Sequence, residues 1–275
     1  MSTFINIHQI FYNDETRAQI DAGFIVLDNT ENVRPDWYEY WPIRQFLLNA
    51  DLDESAYYGF LSPSFGAKTG LTSHDVFAFI GQNLKPDTDA FVFSPFWAHT
   101  AFFRNVFVQG DISHKGLMMS AQEFLRRANY SVDLEALVTH SQNTVHSNYI
   151  VAKPAYWRQW LSLTEKLFAI AEGAQDDYAK SLSGLVFYGD NPKTPMKVFL
   201  QERMATLLLA TQPYKVAAYE TSSAPTSLTL VDYNAAYKPH FVICDALKQA
   251  YTQTGQVLYE TAYLNKIAEL GLNFS

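Results

Sequence analysis

Residues 57–71 read Tyr57-Tyr58-Gly59-Phe60-Leu61-Ser62-Pro63-Ser64-Phe65-Gly66-Ala67-Lys68-Thr69-Gly70-Leu71. The first five form a short aromatic and aliphatic run that suits a buried strand, and Ser62-Pro63-Ser64 then breaks it into a polar, glycine-bearing loop. An α/β sheet takes its ligands outside the carboxyl edge of its strands, where loop backbone and hydroxyl side chains can face a substrate. Ser62, Ser64, Lys68 and Thr69 are therefore candidate lining. An ordinary strand-loop-helix corner, with Gly66 and Gly70 as turn residues, accounts for the stretch equally well, so its neighbours decide.

Working outward, Phe4, Ile5, Ile7 and Ile10 make a first strand, with His8 towards its carboxyl end. Gly23–Leu27 gives a second, ending at Asp28-Asn29. Asp36 can cap a helix over Trp37–Asn49, with Pro42 in its first turns, where proline costs least. Ser73 can cap the next, through about Asn83, and Phe91-Val92-Phe93 is another strand, ending at Ser94-Pro95-Phe96-Trp97. Apolar strand followed by Ser-Pro thus occurs twice. A helix is expected over 120–129, with helical material over 134–138, then a strand near 145–151 and a long helix from Pro154 to about Glu172. Met196–Leu209 reads as a helix, Tyr214–Tyr219 as a strand, and the tail as a Ser/Thr/Pro-rich loop, a helix over about 240–252 and a last helix. Alternating strands and helices predict an α/β fold with a mainly parallel sheet flanked by helices.

At 275 residues, α/β folds often form one domain, and 48% hydrophobic with only 17% charged residues describes a packed globular chain. A formal net charge of −8 argues against nucleic acid as a partner, since that binding draws on surplus Lys and Arg. The single cysteine, Cys244, excludes an intrachain disulfide and a cysteine metal cluster. The opening MSTFINIHQI lacks a signal-peptide pattern and no run reaches ~18 apolar residues, so a cytoplasmic location without a transmembrane segment is expected.

Several blocks resemble small bacterial glycosyltransferases of the GT-A type, associated with capsular, exopolysaccharide and lipopolysaccharide synthesis. They are His8 after the first strand, WYEYWPIRQFLLN at 37–49, the Tyr-Gly-Phe strand with its polar loop, SNYIVAKPAYWRQWL at 147–161 and VFLQERMATLLL at 198–209. The resemblance spans about residues 4–219 and is one of order rather than of a diagnostic signature. It implies a Rossmann-like sheet, a nucleotide-binding half at 1–110 and an acceptor half at 111–275. The ligands it implies are a nucleotide-sugar donor and a saccharide or glycolipid acceptor, the latter compatible with peripheral membrane association. By that resemblance His8, Asp28 and Arg44 approach the nucleotide together with Ser62 and Lys68. Tyr38, Glu39, His114, Asn148 and Arg203 lie nearer the sugar and acceptor, and Glu202 is the catalytic carboxylate.

Such enzymes commonly hold Mg²⁺ or Mn²⁺ with an Asp-X-Asp element at a strand end. Here Asp51-Leu52-Asp53 and Asp87-Thr88-Asp89 precede their strands, so metal dependence is not expected from them. Arg44 and Lys68 are the cations available to steady a departing diphosphate. Structural alternatives stand beside these roles: His8 and His114 as core histidines, Asp28 as a turn cap, Asn148 bonding its own loop, Arg44 paired with Glu39, Lys68 solvated, and Glu202 paired with Arg203 or Lys197. Phosphate-loop, nucleophile-elbow, kinase and zinc-helix motifs are missing. A two-carboxylate glycoside hydrolase using Asp28 and Glu202, and a non-catalytic carbohydrate-binding protein on the same fold, remain as alternatives.

Overall fold

The computed structural model of the chain describes residues 4–188, 191–221 and 237–271, the side chains of 187, 188 and 191–193 excepted. Most of the Ser/Thr/Pro-rich loop after Thr221, and the chain's last four residues, lie outside the described residues. In chain order the elements are β1 (Ile5–Phe11), α1 (Asp14–Arg17), β2 (Ile25–Asp28), α2 (Tyr40–Asn49), β3 (Tyr57–Leu61), α3 (Phe65–Thr69) and α4 (Ser73–Asn83). There follow β4 (Ala90–Val92), α5 (Trp97–Phe102), α6 (Val106–Ser113), α7 (Leu117–Arg127), β5 (Ile150–Ala152), α8 (Pro154–Gly173) and α9 (Asp177–Leu182). A hairpin of β6 (Leu185–Tyr188) and β7 (Asn191–Pro195) leads into α10 (Met196–Thr211), β8 (Val216–Ala218), α11 (Lys238–Thr254) and α12 (Val257–Glu269).

Six strands form one sheet in the order β2-β1-β3-β5-β4-β8. All pairs are parallel except those made by β5, which runs against both β3 and β4. This reversal positions the site. Residues that enter β5 stand at the same edge as residues that leave β3 and β4.

The sheet is buried on both faces, which explains why β3 is an unbroken apolar run. Tyr58, Phe60, Val92 and Ile150 pack on one side with Ile43, Trp157, Leu167, Phe199 and Met204 of the large helical layer. Tyr57, Leu61, Phe91, Tyr149 and Val151 pack on the other with Phe65, Val76 and Ile80. Gly59 is required at this crowded centre, because a Cβ there would meet Val151 Cγ2 at 2.7 Å.

Several expectations are corrected locally. Asp36 caps no helix; its carboxylate pairs with Arg34 and Lys197, and Glu39 occupies the N-cap position of α2. Thr72, not Ser73, caps α4, in a reciprocal capping box with Asp75. The helix expected over 120–129 starts earlier, at Leu117 after Gly116 (φ 92°), and 134–138 is no helix but a turn over 134–136 followed by irregular chain. The aromatic-rich stretch before α7 forms α5 and α6. Most of α5 is buried on every side, so no polar face marks it.

Candidate functional site

The loop after β3 is held from beneath by Gln9, whose amide N–H donates to the carbonyls of Ser62 (3.3 Å) and Pro63 (3.4 Å). Ser62 Oγ stands 2.5 Å from Tyr149 Oη, across from the residues that enter β5. The short α3 then brings Lys68 over the same ground. Its Nζ donates to Ser147 Oγ at 3.2 Å and lies 5.9 Å from the Tyr149 ring centroid. Gly70, at φ 74°, turns the chain away after α3 in the left-handed conformation that glycine adopts without strain.

Two consecutive non-glycine residues at the mouth of β5, Ser147 (φ 58°) and Asn148 (φ 56°), are also left-handed. Beside them, after β4, Phe96 is left-handed at φ 62°, and Tyr38, before α2, has φ 48°. Such backbone costs on the order of 1–3 kcal/mol per residue and persists where surrounding structure imposes it, most often around functional sites. Four of the six described non-glycine residues with positive φ therefore belong to segments around this one edge. Ser94 Oγ accepts from the His146 N–H at 2.9 Å, and the His146 ring meets that of Phe96 at 5.7 Å, which ties the β4 exit to the β5 entrance.

Helix α10 supplies the floor. Successive residues on a helix point about 100° apart, so Gln201, Glu202 and Arg203 serve three different surroundings. Gln201 Oε1 accepts from Asn148 Nδ2 at 3.4 Å, leaving Asn148 Oδ1 and Gln201 Nε2 buried without partners among the described residues. Arg203 turns the other way, donating to the carbonyls of Val106 (2.9 Å) and Phe199 (2.7 Å) over Gly110, where a Cβ would come within 2.3 Å of the guanidinium.

Glu202 lies deep among protein atoms yet keeps part of its surface open. Burial raises its pKa above the ordinary carboxylate value, against the opposing charges of Arg203 and Lys68 and assisted by Glu39. No hydrogen bond or ion pair reaches its carboxylate among the described residues. Of the two cations it feels, Arg203 is engaged with backbone carbonyls, whereas Lys68 donates to a single hydroxyl.

On the other side Tyr12 donates to Glu39 Oε1 at 2.8 Å, and Tyr38 Oη is 3.4 Å from Thr194 Oγ1. Burial, the Glu39 carboxylate and the neighbouring Tyr149 and Tyr38 push the Tyr12 phenol well above its usual value. Burial raises the Tyr149 phenol too, with Glu39 and Glu202 adding to it. One electrostatic cluster thus links Tyr12, Glu39, Tyr149, Lys68 and Glu202.

The structure brings together Ser62, Lys68, Glu39, Asn148 and Glu202 of the sequence-predicted residues, with Tyr38 at the margin. It does not gather His8, Asp28 and Ser62 around one cleft. His8 sits inside the sheet between Phe46 and Phe60, and burial lowers its pKa to about 4. Asp28 caps an exposed turn, accepting from the Thr30 N–H at 2.8 Å, because β2 is an edge strand that leads away from the cleft. Arg44 pairs with Glu165 of α8 and lies over the Phe168 ring rather than joining Glu39. His114 stacks on Phe199 at the end of α6, and Arg203 is the brace described above. These four assignments to ligand binding, and that of Arg203, give way to structural roles.

Sequence reasoning passed over Tyr149, Ser147, His146 and Gln201. The repeated Ser-Pro after two strands pointed to the edge they share, but nothing local reveals that β5 runs antiparallel.

Neither Asp-X-Asp element reaches this edge. Asp53 bonds Ser55 before β3, and Asp89 pairs with Lys153 and accepts from the Lys215 N–H before β4, both at the opposite edge. Among the described residues no group of three or more His, Cys, Asp or Glu side chains could hold a metal ion. No helix among them is long and apolar enough to cross a membrane. Comparison with protein families, with curated proteins and with solved structures finds no match to this chain.

Proposed function

We propose that the chain is a glycosyltransferase that moves a sugar from a nucleotide-sugar donor to a saccharide or glycolipid acceptor, with Glu202 as the general base. The observation that carries this reading is the unpaired, partly open Glu202 carboxylate within electrostatic reach of Lys68, which stands on Ser147 at the carboxyl edge of the sheet. In an inverting displacement the acceptor hydroxyl oxygen bonds to the anomeric carbon as the bond to the diphosphate oxygen breaks. The hydroxyl proton passes to Glu202, and the leaving electron pair goes to the diphosphate, whose charge the Lys68 ammonium steadies. A carboxylate whose pKa is raised by burial is a stronger base than an exposed one, and it can accept that proton with little rearrangement because it holds no partner.

The test is nucleoside diphosphate release from uridine, guanosine, cytidine and thymidine diphosphate sugars, with simple saccharides as acceptors, with and without Mn²⁺. Glu202→Gln keeps the shape and removes the base, so it should fold and bind donor normally while turnover falls by ~10²–10⁴-fold. Unchanged turnover by the folded variant removes Glu202 from the chemistry.

Glu39 supports a second reading. It replaces Asp28 as the second carboxylate near Glu202, and paired carboxylates are the machinery of glycoside hydrolysis. Release of reducing sugar from plain glycosides, with no response to nucleotides, would favour the hydrolase; binding of sugars with neither activity would favour a non-catalytic carbohydrate-binding protein.

A further inference from the structure

Beyond His146, on the side away from Lys68, the carboxyl ends of β4 and β8 open into a second cavity of about 410 Å³, closed by α5 and α11. That volume lies within the ~300–1,000 Å³ of small-molecule sites. We propose that it binds an uncharged saccharide unit, holding the acceptor chain beyond the sugar that reacts over Glu202; this assignment rests on the transferase reading.

The wall is preset. Asp245 is buried and fixes Ser141 through the backbone N–H (2.8 Å) and the hydroxyl (2.6 Å), and it accepts from Gln249 Nε2 at 2.8 Å. Gln249 also donates to Ser141 Oγ at 3.1 Å, which leaves its amide oxygen as an acceptor without a partner among the described residues. Trp97, whose indole N–H finds no acceptor among the described residues, and Tyr219 line the cavity as well. A flat ring beside fixed hydroxyl and amide groups matches a pyranose, which has apolar C–H faces and a rim of hydroxyls.

Charge selects against the donor. No Lys or Arg lines the cavity, whereas the Asp245 carboxylate does, so a phosphate bound there would have no cation beside it. The nearest ammonium, Lys248, is spent on the carbonyls of Thr100 and Phe103. Thr100 also joins the two sites, since it lines the cavity and its Oγ1 is 3.5 Å from His146 Nε2.

The test is saturation-transfer NMR on the full chain with glucose, galactose, mannose, N-acetylglucosamine, maltose, cellobiose and lactose. Glucuronic acid and the four nucleoside diphosphates serve as charged comparators. At least one neutral saccharide should give a signal that falls at least tenfold in Ala246→Trp, which fills the cavity from an exposed position on α11, and severalfold in Gln249→Ala. Nucleoside diphosphate binding should stay within twofold in both variants. Absence of any neutral-saccharide signal, or a signal indifferent to both variants, overturns the cavity assignment and leaves the transferase reading intact. A sensitive saccharide signal with no nucleotide binding anywhere does the reverse, and a glucuronic acid signal stronger than the neutral ones overturns the charge argument.

Discussion

Ser147, Asn148 and Glu202 each hold a state the chain would not choose locally. Two are left-handed without being glycine, and one is a carboxylate without a partner. Ser147→Gly tests whether the backbone state is imposed. Glycine adopts φ near 58° freely, so the variant should gain about 1 kcal/mol in stability, read by urea denaturation. It should also bind nucleotide less tightly, because Lys68 loses the hydroxyl that orients it. A loss of stability would show that Ser147 is structural. At this scale the sequence was partly legible. Glu202 was named through the resemblance in VFLQERMATLLL, whereas His8 and Asp28 misled because a strand-end position reveals neither that a ring is packed between Phe46 and Phe60 nor that β2 is an edge strand.

Among the elements, α10 does the most, since its near-complete burial leaves no polar face and its three consecutive polar residues go to three neighbours. The Arg203 brace joins α10 to α6, and burial lowers its pKa to about 10 despite Glu202 beside it. Arg203→Met removes the charged hydrogen bonds to the Val106 and Phe199 carbonyls, which keep their helical N–H partners, and should destabilise by ~1–3 kcal/mol, the range for hydrogen bonds to a charged group. Gly110→Ala should cost stability as well, because the added Cβ displaces the guanidinium. Both changes are checked by thermal unfolding, and near-wild-type melting of either would contradict the brace. Helix α10 itself was readable from its length and apolar density. Its partners were not, since contacts between residues about a hundred positions apart leave no trace in local pattern.

For the whole molecule, the alternation of strands and helices was enough to give an α/β sheet flanked by helices, and the mixed, mainly parallel sheet bears that out. The reversal of β5 escaped, because three buried residues read alike in either direction. The same dense burial has a pH signature. Burial lowers His8, His99 and His140 to about 4 and His146 to about 3, from an ordinary 6.5. The unfolded chain therefore binds more protons than the folded one between those values. Stability from these groups is complete above about pH 6.5 and is lost as pH falls towards 4. Carboxylates with lowered pKa values, such as Asp36 at about 2, act only below their ordinary value of 3.8, so the interval from 6.5 to about 4.5 isolates the histidines. Glu202, shifted upward, opposes them with one group against four. Melting temperatures at pH 6.5, 5.5 and 4.5 should fall over both steps; a constant value down to 4.5 would contradict buried neutral imidazoles.

The proposed function has a nucleoside diphosphate sugar bound between Lys68 and Glu202. It is tested most directly by calorimetric titration of the wild-type and Lys68→Met proteins with uridine, guanosine, cytidine and thymidine diphosphates, each with and without Mn²⁺. The account predicts that one nucleotide binds selectively, that binding does not require Mn²⁺, and that Lys68→Met weakens it about tenfold, roughly 1.4 kcal/mol. Binding of none of the four, or equal binding by the folded Lys68→Met protein, would contradict it.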